Sequence, residues 1–218
     1  MRSWKFVVPV LVIVLFASSA LAAGSSMSSS SSSTSSGSWT LGINGGGSFP
    51  TGDYKDVANT GWNIGGQGDY WINSMWGVGV DAAYHANNGS DDFNAALVAD
   101  PAFGTGSEVK WSTIQYGAHV AFMIPTQSSQ IFPYLQGGVA GYNVKFKIDG
   151  GLQPGDESVN KVGFNIGTGV DFRATPVVNL GINGTYNYVP KDTEFNDKAL
   201  NWFGVQGRVN FKIPTSSK

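Results

Sequence analysis

Charged and amide side chains recur on the polar side of segments in which apolar and polar residues alternate. Three of them are carboxylates and two are guanidinium groups, so the set can form an internal ion-pair network, because an unpaired buried charge is very costly. The members are Asp69, Asp81, His119, Asp171, Arg173, Gln206 and Arg208. Two uses fit this pattern: a plug that stabilises the protein, or a constriction that selects solutes.

Catalysis has less support than either use. His85 and His119 are the only two histidines, and neither has a serine partner at motif spacing or a Gly-x-Ser-x-Gly nucleophile elbow. The glycine runs at 45–47 and 65–66 lack the following helix or lysine of a phosphate loop. We therefore expect no enzyme, no cofactor and no metal site, with a lipid hydrolase or acyltransferase as the least favoured alternative.

Composition restricts the elements that must position these residues. Of the 218 residues, 13% are charged and 30 are glycine, so charge is about half the ~25% of an ordinary soluble domain. The chain has no cysteine, which excludes disulfides and thiolate metal sites. A net charge of -2 provides no basic face, which argues against nucleic acid as a partner.

The N-terminal segments predict export. Arg2 and Lys5 precede an apolar run and then a small-residue stretch, the pattern of a secretory signal peptide, which we assign to residues 1–22. Residues 23–38 are rich in serine and are expected to form a flexible tether. The remaining domain is assigned to residues 39–213, with a short C-terminal tail at 214–218.

From Trp39 onward the chain divides into eight segments whose side chains alternate with the period of two that indicates β-strands. These segments are residues 39–47, 62–72, 76–85, 110–124, 132–148, 162–173, 178–188 and 203–213. The fifth is irregular, because Leu135 and Val139 fall on the opposite face from Tyr142 and Val144. A bulge at Gly137-Gly138 would bring all of them to one face.

The connections between segments alternate in length. Long polar stretches at 48–61, 86–109, 149–160 and 190–198 alternate with short ones at 73–75, 125–130 and 174–177. Long loops at one rim and tight turns at the other are typical of bacterial outer-membrane barrels. The sequence thus predicts an all-β fold, an eight-stranded antiparallel transmembrane β-barrel of the bacterial outer membrane, with both termini periplasmic.

A soluble eight-stranded barrel, apolar inside and polar outside, is the competing interpretation. Side-chain volume favours the membrane barrel, because an eight-stranded interior is barely wide enough for side chains. The apolar face carries many large rings, among them Trp62, Trp76, Tyr116 and Phe164, whereas the other face is mostly small or amide side chains. The aromatic residues also gather near strand ends, where membrane interfaces lie.

Residues 41–54, Leu-Gly-Ile-Asn-Gly-Gly-Gly-Ser-Phe-Pro-Thr-Gly-Asp-Tyr, followed by Gly-Trp-Asn-Ile-Gly-Gly-Gln-Gly-Asp-Tyr at 61–70, resemble the opening hairpin of a known family. This is the outer-membrane β-barrel domain family of small OmpX- and OmpW-like proteins. The resemblance implies eight strands and a porin-like or adhesive surface role. One departure is the C-terminus, where seven residues follow Phe211, although such barrels usually end on an aromatic residue.

Two functions follow as hypotheses. The first is a non-enzymatic, porin-like narrow channel for small or hydrophobic solutes, with His85, Lys145 and Lys147 lining an outer vestibule. The second is a closed structural or adhesive barrel that acts through its extracellular loops. In the longest loop, the apolar residues either pack against neighbouring loops or form a mouth for a hydrophobic ligand; these residues are Phe93, Leu97 and Val98.

The expected partners are those of the outer membrane. They are membrane lipid and lipopolysaccharide, small hydrophobic solutes, and the barrel assembly machinery during biogenesis. Most of the 15 carboxylates lie in or beside the long loops. They form a solvated surface or hold divalent cations shared with lipid phosphates, since hard cations take oxygen ligands.

Overall fold

A computed structural model of the chain describes residues 37–191 and 199–213. The predicted signal peptide, nearly all of the tether, the C-terminal tail and much of the last loop lie outside the described residues. Eight strands are present: β1 Ser38–Thr51, β2 Gly61–Trp71, β3 Trp76–Asn88, β4 Glu108–Met123, β5 Ile131–Asp149, β6 Gly155–Arg173, β7 Val178–Val189 and β8 Leu200–Ile213. Each strand pairs antiparallel with the next, and β1 pairs with β8 to close a barrel. The predicted eight-stranded antiparallel fold is confirmed.

The barrel is apolar outside and polar inside. Ile43, Val80 and Ile166 leave 61%, 64% and 65% of their surface exposed, an arrangement that water disfavours over so large an area. Inside, Asn63 and Asn210 are almost fully buried. This polarity is the reverse of a soluble barrel, as the volume argument predicts.

Aromatic pairs mark two levels on the outer face. Near one end, the Trp39 and Tyr70 rings lie 5.1 Å apart and the Trp76 and Phe122 rings 4.8 Å apart. Near the other end, the rings of the Trp62–Tyr84 pair lie 5.6 Å apart. The two levels fit the girdles that such residues form at membrane interfaces.

The connections divide into a turn rim and a loop rim. The turn rim has the short connections 72–75, 124–130 and 174–177, and in the first of them the Asn73 carboxamide oxygen accepts hydrogen bonds from two backbone amides. The loop rim has L1 (52–60), L2 (89–107) and L3 (150–154), and β7 ends and β8 begins at the same rim. L1 contains a 3₁₀ helix, Gly52–Asp56, and L2 contains helix α1, Asp91–Ala99. Among the described residues, no helix is both long and apolar enough to cross a membrane.

L3 differs from the predicted long loop at 149–160. β5 and β6 continue to Asp149 and from Gly155, so they extend as a hairpin at the loop rim. The turn between them needs left-handed backbone, with φ of 74° at Gly150 and 67° at Gly151, which glycine adopts without strain. The polar residues of this stretch are therefore strand residues.

The suggested bulge in β5 is wrong. β5 keeps one continuous register with both β4 and β6, so Leu135 faces outward and Tyr142 and Val144 face inward, each of the latter at most 1% exposed. The physical reason is that the interior near the loop rim is itself apolar. Alternation therefore continues without a break along β5. Near the loop rim, however, the apolar side chains face inward and the polar ones face outward.

Candidate functional site

The interior near the turn rim contains a histidine held between two carboxylates. His119 Nε2 lies 2.7 Å from Asp69 Oδ1, and Nδ1 lies 3.0 Å from Asp81 Oδ1. The outer oxygens of the carboxylates accept from amides, Gln67 to Asp69 and Gln115 to Asp81, each at 2.9 Å. Because ionised carboxylates only accept hydrogen bonds, the geometry is satisfied by an imidazolium that donates on both sides.

A second group crosses from β6 to β8. Arg208 Nε lies 3.3 Å from Asp171 Oδ1, and both side chains are almost fully buried. Asn210 donates to the other oxygen of Asp171 at 2.8 Å, and the Arg208 guanidinium donates to the Tyr134 hydroxyl and stacks on its ring. The buried ion pair is thus supported by hydrogen bonds, without which such a pair is unfavourable.

The remaining two members of the predicted network lie apart from these groups. Arg173 is half-buried and stacks over the Phe132 ring, 5.0 Å from its centroid. Gln206 belongs to an amide chain: its nitrogen donates to Asn63 at 2.7 Å, and its oxygen accepts from Asn183 at 3.0 Å. All seven residues thus lie on the inner face, in separate groups, and their use as a plug or a constriction stays a prediction.

A small cavity lies at mid-height in the barrel. Its volume is about 40 Å³, enough for only a few water molecules, since one needs about 10–15 Å³. Amide side chains supply most of its wall: Asn44, Gln67, Gln115, Gln136, Asn165, Asn183, Asn187 and Gln206. The polar interior is therefore nearly filled by its own side chains.

Above the cavity, aromatic rings fill the barrel at the loop rim. Tyr54 projects from the L1 helix into an apolar cluster with Tyr142 and Trp202, which are 3%, 0% and 2% exposed. The rings of Tyr54 and Trp202 lie 6.2 Å apart, and those of Tyr142 and Trp202 lie 5.5 Å apart. We name Tyr54, Trp111, Tyr142 and Trp202 the aromatic plug.

Hydrogen bonds fasten L1, and with it Tyr54, over the barrel. The Trp111 indole donates to the Val57 carbonyl at 3.2 Å. From L2, the Ser90 hydroxyl donates to the Asp56 carbonyl at 2.7 Å and the Ser90 amide to that of Val57 at 3.0 Å. The plug is thus held by two loops and the barrel wall.

The aromatic plug is not among the sequence predictions, although the alternation pattern contains its two rings on β4 and β8. Trp202 lies an even number of residues before Gln206 and Arg208, and Trp111 shares the face of Thr113 and Gln115, so alternation alone places both rings inside. The alternation pattern does not predict a buried Tyr54, because its position depends on how L1 folds back over the barrel.

The predicted vestibule is not formed by the three residues named for it. His85 lies inside, 3% exposed, with Nε2 3.2 Å from Gln115 Oε1 and its ring 5.2 Å from that of Trp202. Lys145 and Lys147 lie on the outer face, because the β5 register turns Tyr142 and Val144 inward. The three side chains therefore line no common space.

The apolar residues of L2 also separate. The Ser90 hydroxyl caps α1 by accepting from the Phe93 amide at 3.2 Å. The Phe93 ring packs edge-on against Phe146, 6.4 Å away, whereas Leu97 is half-buried and Val98 is exposed. Phe93 thus extends the aromatic packing of the plug through Phe146 and Trp111.

Comparisons with known proteins agree with this polar-inside barrel. The model of the outer membrane protein β-barrel domain matches residues 10–212. The chain belongs to this family. The predicted resemblance is confirmed, and membership implies the bacterial outer membrane. A comparison with curated proteins found no match.

Solved structures of other outer-membrane barrels share the fold. Neisserial surface protein A is 20% identical, with a TM-score of 0.54, over 80% of this chain and 97% of that one. A major outer membrane protein from Thermus thermophilus is 11% identical, with a TM-score of 0.54, over 80% and 99%. OprG from Pseudomonas aeruginosa is 12% identical, with a TM-score of 0.50, over 85% and 100%. At these identities the likeness concerns the fold alone.

For an outer-membrane barrel, the Trp62–Tyr84 pair places the membrane interface near the loop rim. Beyond this pair the outer face becomes charged: Lys110 and Lys147 both contact Asp149, at 2.9 and 2.5 Å, and Lys145 contacts Asp156 at 2.5 Å. Hydrogen bonds from Lys147 and Lys110 lower the pKa of Asp149, and the bond to Asp149 raises the pKa of Lys110. Asp149 and Lys110 therefore stay ionised at neutral pH.

Proposed function

We propose that the protein is a closed, non-enzymatic outer-membrane barrel that acts through its loop rim. The observation that favours this function over a channel is the aromatic plug. Tyr54 and Trp202 occupy the centre of the barrel at the loop rim and are almost fully buried, so a solute would have to displace rings packed at core density. Of the two hypotheses from the sequence, the closed barrel has the better support.

Three further features support closure below the plug. The mid-height cavity has room for only a few water molecules. The Asp171–Arg208 pair and the His119 group hold charged side chains in fixed, hydrogen-bonded positions towards the turn rim. Opening a path would break buried ion pairs, each worth about 3–5 kcal/mol when one partner is removed.

Catalysis has no support from these groups. Each carboxylate of the His119 group is occupied by the imidazole and an amide, and no serine contacts either histidine among the hydrogen bonds of the described chain. Among the described residues, no group of three or more His, Asp or Glu side chains is placed to hold a metal ion.

Solute release from liposomes tests closure. The refolded protein, shown by flotation to be inserted, is expected to retain a trapped small ion and a small sugar as protein-free vesicles do. Vesicles with an open porin serve as the positive control. Release at a rate approaching that control would overturn the closed barrel and restore the channel hypothesis. A parallel assay with an apolar fluorescent probe tests the hypothesis of a channel for hydrophobic solutes.

The loop rim must face the exterior for this function. Because the chain has no cysteine, single cysteines report orientation directly. Leu152→Cys in L3, at a side chain 73% exposed, should react with a membrane-impermeant maleimide on intact cells. Ser74→Cys, exposed at the turn rim, should react only after the outer membrane is opened. The reverse pattern would contradict the proposed orientation.

A further inference from the structure

A concave site lies on the outer wall of the barrel, across the strands β2 to β5. Its volume is about 720 Å³. Trp62 and Tyr84 bound it on the membrane side, and the small side chains of Ala86 and Ser112 line it between these rings and the lysines. Alternation points all four of these side chains away from the lumen. The site is therefore open to lipid and not to the barrel interior.

The far side of this site is cationic. Lys110 and Lys147 are direct cross-strand partners, and Lys145 is the cross-strand partner of Ser112. Among the described strands, every lysine or arginine that faces outward belongs to this group. The other strand cations, Lys161, Arg173, Arg208 and Lys212, share the inward face. Positive charge on the outer wall is thus confined to one place, which we call the lysine patch.

The ion pairs within the patch leave donors free for a ligand. The three lysine side chains keep 43–53% of their surface exposed. Each ammonium has three donors, and two carboxylates, those of Asp149 and Asp156, are shared among three lysines. The carboxylates hold the long side chains in position, and Glu108, the cross-strand partner of Asp149, adds a third negative charge near Lys110. The exposed ammonium donors, and not an excess of positive charge, are therefore what the patch offers a ligand.

We propose that the lysine patch binds the phosphate of a phosphorylated glycolipid in the outer leaflet. Through the strand pairing, Lys145 lies two residues beyond Tyr84, and Lys110 and Lys147 lie four residues beyond it. These steps are about 7 and 13 Å at the rise of a β-strand, so the patch starts at the level of the lipid headgroups. Lysines near a membrane surface attract anionic headgroups, and exposed aromatic rings at this level contact the saccharide and upper acyl region. The location on the lipid-facing wall favours a lipid over a free anion.

Native mass spectrometry in a maltoside detergent tests the proposal, with diphosphoryl lipid A as the probe. Wild type should retain the lipid, and Lys110→Gln, Lys145→Gln, Lys147→Gln in one protein should weaken binding about tenfold or more. The matched control is Lys55→Gln with Lys191→Gln, which removes two exposed loop lysines and should leave binding unchanged. Heat-modifiable migration on a gel confirms that each variant is folded.

For Asp149→Asn we expect the opposite effect on the affinity for lipid A. It removes the carboxylate that neutralises Lys110 and Lys147, so lipid A should bind more tightly. Weaker binding, together with loss on addition of a chelator, would show that a divalent cation bridges Asp149 and the phosphate and would overturn direct recognition by lysine. Equal retention of dephosphorylated lipid A, or full competition by millimolar inorganic phosphate, would overturn phosphate-dependent lipid binding.

Discussion

The phenol ring of Tyr54, from a loop, packs against the indole of Trp202, from the last strand, with 6.2 Å between ring centroids. Trp202 shares the inward face of β8 with Gln206 and Arg208, whereas no strand alternation places Tyr54, which lies in the L1 helix. Together they move the apolar centre of the molecule to the loop rim, while the bilayer-level interior is polar. The loop is thus part of the folded barrel and not an appendage to it.

Tyr54→Ser should therefore destabilise the whole barrel. It removes a ring buried in the apolar cluster, and the expected loss is about 2–4 kcal/mol, in the range for large-to-small changes in a core. The measurement is urea unfolding of the refolded protein in detergent, followed by tryptophan fluorescence. Lys55→Ser, an exposed change in the same helix, is the control. Equal stability of both variants would mean that L1 does not close the barrel.

A close approach at Gly79 gives a second prediction. A β-carbon there would lie 2.5 Å from Asp69 Oδ1 and 2.6 Å from His119 Nε2, both closer than van der Waals contact. Gly79→Ala should cost about 1–3 kcal/mol, as overpacking does. At Gly207 a β-carbon would meet no described atom within 4 Å, so Gly207→Ala should be neutral or slightly stabilising. Similar unfolding curves for the two variants would contradict the packing around His119.

Loop L2 gives a prediction that separates packing from a ligand mouth. Phe93 contacts Phe146, whereas Val98 is exposed. Phe93→Ser should therefore make L2 more sensitive to proteolysis, and Val98→Ser should not. If the apolar side chains instead form a mouth, both changes should reduce uptake of an apolar probe and neither should alter proteolysis of the folded protein.

The sequence predicts the strands well, because alternation and loop length are local properties. It also places Arg208 and His119 on the inner face, since both share a face with amides. It does not predict that Arg208 meets Asp171 while His119 meets Asp69. Those pairs depend on the stagger between strands, which no local pattern encodes.

The vestibule prediction shows a different limit. Lys145 and Lys147 are polar residues in an alternating strand, so polarity assigns them to the lumen. β5 extends beyond the hydrocarbon core of the membrane, however, to the level of the headgroups, where the outer wall is polar and the plug fills the interior. There the polar face turns outward. Whether a polar strand residue faces the lumen or the outside therefore depends on its height relative to the membrane, which the alternation pattern does not show.

The buried pair between Asp171 and Arg208 predicts strong energetic coupling. Arg208→Met leaves Asp171 buried and unpaired, and the expected loss of stability is about 3–5 kcal/mol. Asp171→Asn combined with Arg208→Met should lose less than the sum of the two single changes, because no unpaired charge remains. A double-mutant cycle by urea unfolding measures the coupling. Additive single effects would show that the two side chains act independently.

The two histidines allow a matched test of the His119 group. His119→Leu leaves the Asp69 and Asp81 carboxylates buried without a cation between them. We therefore expect the free energy of unfolding to fall by about 3–5 kcal/mol. Adding Asp69→Asn and Asp81→Asn should restore much of this stability by removing both negative charges.

His85→Leu is the control for that test, because His85 is equally buried but has the neutral Gln115 as its hydrogen-bond partner. Its loss should be about 1–3 kcal/mol, the cost of an unsatisfied polar partner. Urea unfolding at neutral pH compares the variants. Two results would contradict a charged His119: a loss of unfolding free energy no greater for His119→Leu than for His85→Leu, or no recovery of stability with the two asparagines. Either result would mean that His119 is an ordinary packed side chain.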